Sequence, residues 1–371
     1  MTNSNKLGLY IHIPFCQQKC SYCDFYSITA KQDVMDRYAK EVANEIFLLS
    51  QTHLENYIST IYLGGGTPSI LSLNNLEVIT NSIYKNFKCK VSEFTIEVNP
   101  SSSQNLKLYK NFGINRISLG VQSFDNNILK KIGRLHDRDM AITALEKAAN
   151  CYDNVSSDFI LGISENQDII SDASILLKFV KHLSAYMLKV EENTPLEKQI
   201  NDKKVCVATE DTQVLQYQKL YEFCKENNFH RYEISNFACL GYESKHNLSY
   251  WDMTQYLGVG VSSHSFIGGK RYFNVSDINA YLEGKHSGRG QQLKERDYSY
   301  KDTLEEYIML SLRTEKGLQI SKFNELFNKD FLQEYQEKIK KAAQYTTLNG
   351  DWFSIKPQYF LVQNSIVSSL L

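Results

Sequence analysis

The sequence predicts an α/β fold: a partial (β/α)6 barrel of the TIM-like kind, followed by a small, mainly helical C-terminal domain. Three observations carry the prediction. Short β-branched or aromatic runs alternate with longer amphipathic stretches through the first half of the chain, the pattern of βα units and a parallel sheet. Nearly all the chemically unusual residues fall at the C-terminal ends of those short runs, where the loops of a parallel barrel build an active site. With 371 residues and 42% hydrophobic content, the chain can fill one large domain and an appendage, since single domains run to about 100–200 residues and barrels to about 250.

Taken in order, strands are expected at residues 9–14, 60–63, 93–98, 116–121, 157–161 and 184–190, with helices between them such as 33–50 and 138–151. A helix follows over 209–228. Residues 232–273 are rich in glycine, histidine and aromatics, with strand-like pieces at 256–259 and 265–267, and are expected to close over the barrel mouth. The polar run 286–296 has the composition of a linker. Beyond it the pattern is helical and then briefly β, at 352–355 and 358–362. The expected division is a barrel over 1–230, a closing segment over 231–290 and a C-terminal domain over 291–371.

Lysine plus arginine is 41 and aspartate plus glutamate 42, so the net charge of −1 provides no broad basic field for nucleic acid, and membrane contact would be peripheral. Residues 1–8 lack a cationic region leading into an apolar core, and the apolar run 9–15 is too short to span a bilayer, so a cytoplasmic protein is expected. Of eight cysteines, Cys16, Cys20 and Cys23 crowd into eight residues while the others are scattered. In a reducing compartment such crowding points to a metal site rather than to disulfides.

Those three cysteines directly follow the first strand, on one tight loop at the barrel top. Iron–sulfur clusters of the [4Fe–4S] kind are usually held by four cysteines, so three leave one iron open to a small chelator, and the amino and carboxylate groups of S-adenosylmethionine fit that vacancy. The alternative is structural zinc, with His12 completing a Cys3His set. After the second strand, the run Leu63-Gly64-Gly65-Gly66-Thr67-Pro68-Ser69 lets backbone approach a ligand without an intervening Cβ, and it lacks the lysine of a phosphate loop. Glu97 ends the third strand, Gln122 the fourth, Arg134 follows a short helix later, and Asp158 lies in the fifth. An arginine can pair with the methionine carboxylate, and carboxylates can accept ribose hydroxyls. Singly, each could equally be a buried salt-bridge or rim residue; around one mouth they fit a ligand.

With Tyr10-Ile11-His12-Ile13-Pro14-Phe15-Cys16, Cys20, Tyr22 and Cys23, the glycine run, Glu97-Val98-Asn99-Pro100, Gly120-Val121-Gln122-Ser123-Phe124, Ile132-Gly133-Arg134, Asp158, Tyr186, Arg231-Tyr232-Glu233-Ile234-Ser235-Asn236 and His246-Asn247-Leu248-Ser249-Tyr250-Trp251 in view, the chain resembles, over nearly its whole length, the oxygen-independent coproporphyrinogen III oxidase family of radical SAM proteins. Within it, the heme chaperone branch is the most similar. The resemblance implies S-adenosylmethionine contacts at Tyr10, Tyr22, Gly65, Gly66, Thr67, Glu97, Gln122, Arg134 and Asp158, and reductive cleavage of the sulfonium to a 5′-deoxyadenosyl radical, the cofactor's own chemistry. Its electron donor would be of the flavodoxin or ferredoxin kind.

Two departures from the oxidase pattern, Asp24-Phe25-Tyr26 after the third cysteine and the short arm before Tyr10, favour the chaperone branch, whose members bind heme and pass it to hemoprotein acceptors. The alternative is the oxidase itself, decarboxylating coproporphyrinogen III to protoporphyrinogen IX in porphyrin biosynthesis. His246 lies in a segment similar to one proposed to matter for heme, and a histidine flanked by aromatics suits an axial ligand; Cys239 and His264 are weaker candidates. Gly162-Ile163-Ser164 and Val261-Ser262-Ser263-His264 depart from the family pattern and leave the substrate side of the pocket open.

Overall fold

The computed structural model describes residues 5–289, 293–294 and 299–371. Six strands lie side by side in chain order, each parallel to its neighbours: β1 (Lys6–Ile13), β2 (Tyr57–Gly65), β3 (Lys88–Val98), β4 (Arg116–Gln122), β5 (Asn154–Leu161) and β6 (His182–Met187). All six expected strands are present. Most begin a few residues earlier than the β-branched runs, because ladder pairing recruits polar positions such as Lys6, Lys88 and Asn154 that composition alone does not mark. The sixth stops short of residue 190, because β5, its partner, ends at Leu161 and Leu188 makes the last backbone bond to it, at 2.8 Å.

Alternation sorts each strand's side chains. Leu7, Leu9, Ile11 and Ile13 of β1 are fully buried on one face with Ile61, Leu63, Phe94, Ile96, Leu119 and Leu183, while the other face carries Tyr10, Tyr62, Glu97, Ser118, Asp158 and Ser184 around a shared cavity. The apolar face is covered by α1 (Gln32–Thr52), α2 (Leu73–Asn86), α4 (Arg138–Cys151) and α5 (Ile169–Leu176), while Ile128 of the short α3 (Asn126–Lys131) joins a separate cluster with Ile132, Ile160 and Leu196. In α1 the buried positions Met35, Tyr38, Ala39, Val42, Ile46 and Leu49 trace one helical stripe. Helix α4 has the expected bounds, fixed at its start by Asp137, whose side chain accepts from the Met140 amide.

After α6 (Pro195–Asn201) and α7 (Glu210–Glu226), the sheet grows at both margins. β7 (His230–Arg231) and β8 (Asn236–Ala238) extend it antiparallel beyond β6. Past α8 (Lys245–Trp251), β9 (Tyr256–Val259) pairs parallel with β1, with Gly8 opposite Tyr256, and β10 (His264–Ile267), β11 (Lys270–Phe273) and β12 (Leu293–Lys294) continue outward. The sheet has twelve strands among the described residues. The stretch expected as a linker begins differently: His286 and Ser287 are buried, His286 Nε2 lies 2.7 Å from Glu41 Oε1, and Ser287 Oγ donates to Glu45. Of that stretch, 290–292 and 295–296 lie outside the described residues.

Glu45 of α1 is the anchor of this closing segment. Its carboxylate has no exposed surface and accepts from the Gly260 amide at 2.9 Å, Asn274 Nδ2 at 2.7 Å and the Tyr281 hydroxyl at 2.6 Å. One carboxylate thus ties 260–287 to the first helix.

A second hydrophobic core, with Tyr307, Ile308, Leu312, Phe323, Phe331, Phe353 and Phe360 at its centre, belongs to the C-terminal region. Past α9 (Ile278–Leu282), which packs on the barrel, it is built by α10 (Tyr300–Ser311), α11 (Ile320–Phe327), shorter helical turns to Ala342, and a three-stranded sheet of β13 (Leu318–Gln319), β15 (Trp352–Ile355) and β14 (Thr346–Asn349). The expected strand at 358–362 is a 3-10 helix, Pro357–Val362. Pro357 has a fixed φ and no N–H to give a ladder, so it starts a turn; the partner of β15 is instead β14, across a hairpin whose Gly350 has φ 57°.

Candidate functional site

The loop leaving β1 is pinned at its base, where Ile28 N donates to Pro14 O at 2.7 Å and Cys16 N to Ile28 O at 2.9 Å. Its apex is held from two sides, by Ser21 N on Ile132 O at 3.1 Å and Leu196 N on Ser21 O at 2.9 Å. Cys16, Cys20 and Cys23 are partly exposed, carry free thiols, and line one cavity of about 530 Å³ with residues from all six parallel strands. Burial raises the Cys16 thiol and pushes Cys23 up to about 11. A metal centre would draw these protons off. Thr67 Oγ1 at 3.5 Å from Cys16 Sγ and Arg134 Nη1 at 3.6 Å from Cys20 Sγ are donors that suit thiolates.

His12 does not complete a zinc set. Its Nε2 donates to Tyr26 O at 2.9 Å, so its Nδ1 accepts from the Tyr10 hydroxyl at 2.9 Å, and both nitrogens are engaged. Three thiols without a fourth protein ligand on their loop are the donor set of a cluster with one open iron.

The glycine run serves close approach within the protein as well as at the cavity, which Gly65 and Gly66 line. A Cβ on Gly64 would lie 2.6 Å from the Tyr62 ring, on Gly65 2.4 Å from His12, and on Gly66 2.7 Å from Phe15 O. The missing side chains therefore make room for the protein itself. Gly66 N and Thr67 N bond to Ile13 O and Phe15 O, both at 2.8 Å, which fastens this loop against the cysteine loop.

Glu97 sits at the centre of the wall. It accepts from the Tyr62 hydroxyl at 2.8 Å and the Gly65 amide at 3.0 Å; burial, with Asp158 nearby, raises its carboxyl to about 7. Gln122 ends β4 at a bulge, Gly120 facing Asp158 and Gln122 facing Phe159, with a left-handed φ of 70°, and it lines the cavity. Arg134 is held by Asn99 Oδ1 at 2.7 Å, by Gly120 O and by Tyr22. Asp158 is raised by burial and hydrogen-bonds Ser184 and Ser118. The structure brings all nine expected ligand residues, Gly65 and Gly66 included, to the lining of one chamber.

Sequence reasoning missed the lower half of that chamber. Arg116, 2% exposed, has one long hydrogen bond, 3.4 Å to Thr95 Oγ1, and its Nε has no partner. His182 bonds Tyr232 through Nε2 at 2.7 Å and leaves Nδ1 unpartnered. Both line the cavity. TIM-type interiors are ordinarily packed with branched apolar side chains; an interior of Arg116, Ser118, Ser184 and His182 with orphaned polar atoms fits a polar occupant. The signal was present in the sequence as polar residues alternating into strands β4 to β6.

His246 has both ring nitrogens engaged, Nδ1 with Thr60 Oγ1 at 2.9 Å and Nε2 with the Tyr250 hydroxyl at 2.8 Å, and its ring stacks on Tyr62 with centroids 5.3 Å apart. It is 1% exposed, and burial lowers its pKa to about 3. Ligating iron there would require breaking one of these bonds. Cys239 packs at the margin with its amide on Lys181 O, and His264 is exposed at the start of β10; neither lines the cavity.

The model of the Radical SAM superfamily matches residues 10–174, and that of the HemN C-terminal domain matches residues 298–354. The chain is 32% identical over 349 residues to the heme chaperone HemW of Lactococcus lactis, covering 92% of this chain and 90% of the relative. It is 33% identical to the heme chaperone HemW of Synechocystis, covering 97% and 95%. Coproporphyrinogen III oxidase (HemN) from Escherichia coli superposes with a TM-score of 0.84 over 99% of this chain and 90% of that one, at 20% identity, a likeness of fold.

Proposed function

We infer that this chain, which belongs to the family of the heme chaperone HemW, binds heme and passes it to hemoprotein acceptors on a radical SAM scaffold. The observation that carries this reading is identity above 30% to heme chaperones over about nine-tenths of both chains. The resemblance to the oxidase is one of fold.

On this reading Cys16, Cys20 and Cys23 hold a [4Fe–4S] cluster. Tyr10, Tyr22, Gly65, Gly66, Thr67, Glu97, Gln122, Arg134 and Asp158 surround S-adenosylmethionine. The cluster supplies one-electron reduction of the sulfonium when both are bound. This chain's residues orient and shield: Arg134, pre-set by Asn99, offers its guanidinium to a carboxylate, and Glu97 and Asp158 offer acceptors for amine or hydroxyl groups. Among the described residues no helix is long and apolar enough to cross a membrane. A cytoplasmic setting, a flavodoxin- or ferredoxin-like donor and peripheral membrane contact complete the proposal.

The test is anaerobic. After cluster reconstitution, heme binding, transfer to an apo-hemoprotein and coproporphyrinogen conversion are measured on one sample. Stable binding and transfer without decarboxylation is the expected result; turnover without heme binding reverses the reading. Iron and sulfide near four each per chain, lost in Cys20→Ser, test the cluster.

A further inference from the structure

The cavity mouth is rimmed by large apolar side chains that the fold leaves in solvent. On the cysteine loop Phe25 is 63% exposed; at the exit of β6 Tyr186 is 46% and Met187 36% exposed. All three line the cavity that holds the three thiols. The two sides of the rim are close enough for the charge of Asp24 to act on Lys189. Single exposed apolar residues are ordinary, but a patch at the mouth of a polar cavity marks a ligand surface.

The rim also carries two cations. Lys19 Nζ donates to the Phe25 backbone carbonyl at 3.2 Å, which ties it to the cysteine loop just outside the cavity lining. Lys189 pairs with Glu191 at 2.7 Å in an exposed pair that can exchange partners at small cost. Histidine is absent from this arrangement: His12 and His246 have both nitrogens engaged, and His182 lies buried in the lower chamber. Met187 is thus the rim side chain with an uncommitted soft donor, and a thioether is a known axial ligand of heme iron.

We propose that this rim is the heme seat: the macrocycle lies across the mouth against Phe25 and Tyr186, Met187 presents its sulfur to the iron, and Lys19 and Lys189 meet the two propionates. This rests on the heme-chaperone reading and gives it a place. A flat apolar plate with a central metal and two carboxylates matches ring faces, a sulfur and two lysines; an acceptor protein docking on the same patch has no need of the sulfur. The seat covers the opening above the cluster.

The full chain, reconstituted anaerobically, is titrated with ferric heme and followed by absorbance, in wild type, Phe25→Ala, Met187→Ala, Met187→His and Lys19→Gln/Lys189→Gln. Iron and sulfide content verifies that each variant is folded. Phe25→Ala, Met187→Ala and the double lysine variant are each expected to raise Kd about tenfold. Met187→His should bind at least as tightly as wild type with a shifted Soret band, a gain that misfolding cannot mimic. Wild-type affinity and an unchanged spectrum in all variants would overturn the seat while leaving heme binding intact. Normal heme binding with lost transfer would also overturn it and assign the rim to the acceptor. No heme binding by wild type removes the chaperone reading and the seat together.

Discussion

Glu97 shows how much one side chain decides. Burial raises its carboxyl to about 7, and the ionised form is the stronger acceptor for an ammonium or ribose group. S-adenosylmethionine affinity is therefore expected to rise about tenfold between pH 6 and pH 8 and then level, in step with the ionised fraction; Glu97→Gln should bind weakly with a flat profile, as read by calorimetry. Stability runs the other way. The folded carboxyl titrates near 7 against 4.5 for the free group, so between those values the folded state keeps a proton that the unfolded chain releases. The unliganded protein should lose stability as pH rises through that window and be level above it, with Glu97→Gln removing the slope. At this scale the sequence was informative where chemistry is unusual: three thiols, a strand-end carboxylate, an arginine one short helix past a strand. It was fainter on Arg116 and His182, marked only by polar residues alternating into β4 to β6, because a charged residue at the start of an apolar strand looks like surface until the strands curl around it.

Among elements, α1 does more than cover the sheet. Glu45→Ala leaves the Gly260 amide, Asn274, Tyr281 and Ser287 without their shared acceptor, so a loss on the order of 3–5 kcal/mol is expected, measured as a lowered thermal midpoint. Glu45→Gln, isosteric and still an acceptor, should lose less. Periodicity could find α1 and its buried stripe but not this role, since the partners lie more than two hundred residues away in sequence. The opposite limit is the C-terminal hairpin. Asn349-Gly350 is a turn signal that joins β14 to β15, yet the β-rich composition after Pro357 drew the second strand to the wrong side. Likewise the glycine run is a place of close approach: His12 and the cysteine loop press against it, and Gly65 and Gly66 also line the cavity.

At the scale of the molecule, Arg231 joins the barrel to the C-terminal core. It is 3% exposed, makes two bonds to Glu315 at 2.9 and 2.8 Å, and lies between Tyr221 and Phe360 with its guanidinium 4.7 and 4.0 Å from their ring centres. A planar, stacked, two-pronged contact does not pass to lysine. Arg231→Lys and Arg231→Ala are both expected to uncouple melting into two calorimetric transitions, the C-terminal core first, with Arg231→Ala also raising protease cleavage near residues 299–315.

The pairing of β9 with β1 sets the order in which the protein can be made. β1, which carries the cysteine loop, is flanked by β2 on one side and by a strand that begins at Tyr256 on the other, and its neighbouring helix waits for residues as late as Ser287. A ribosome that has delivered only the first two hundred residues has therefore released the three thiols on a strand with one raw edge, a template for mispairing. Loading the cluster onto that nascent loop would commit metal to a half-built sheet, since β1 gains its second neighbour only once the closing segment has been made.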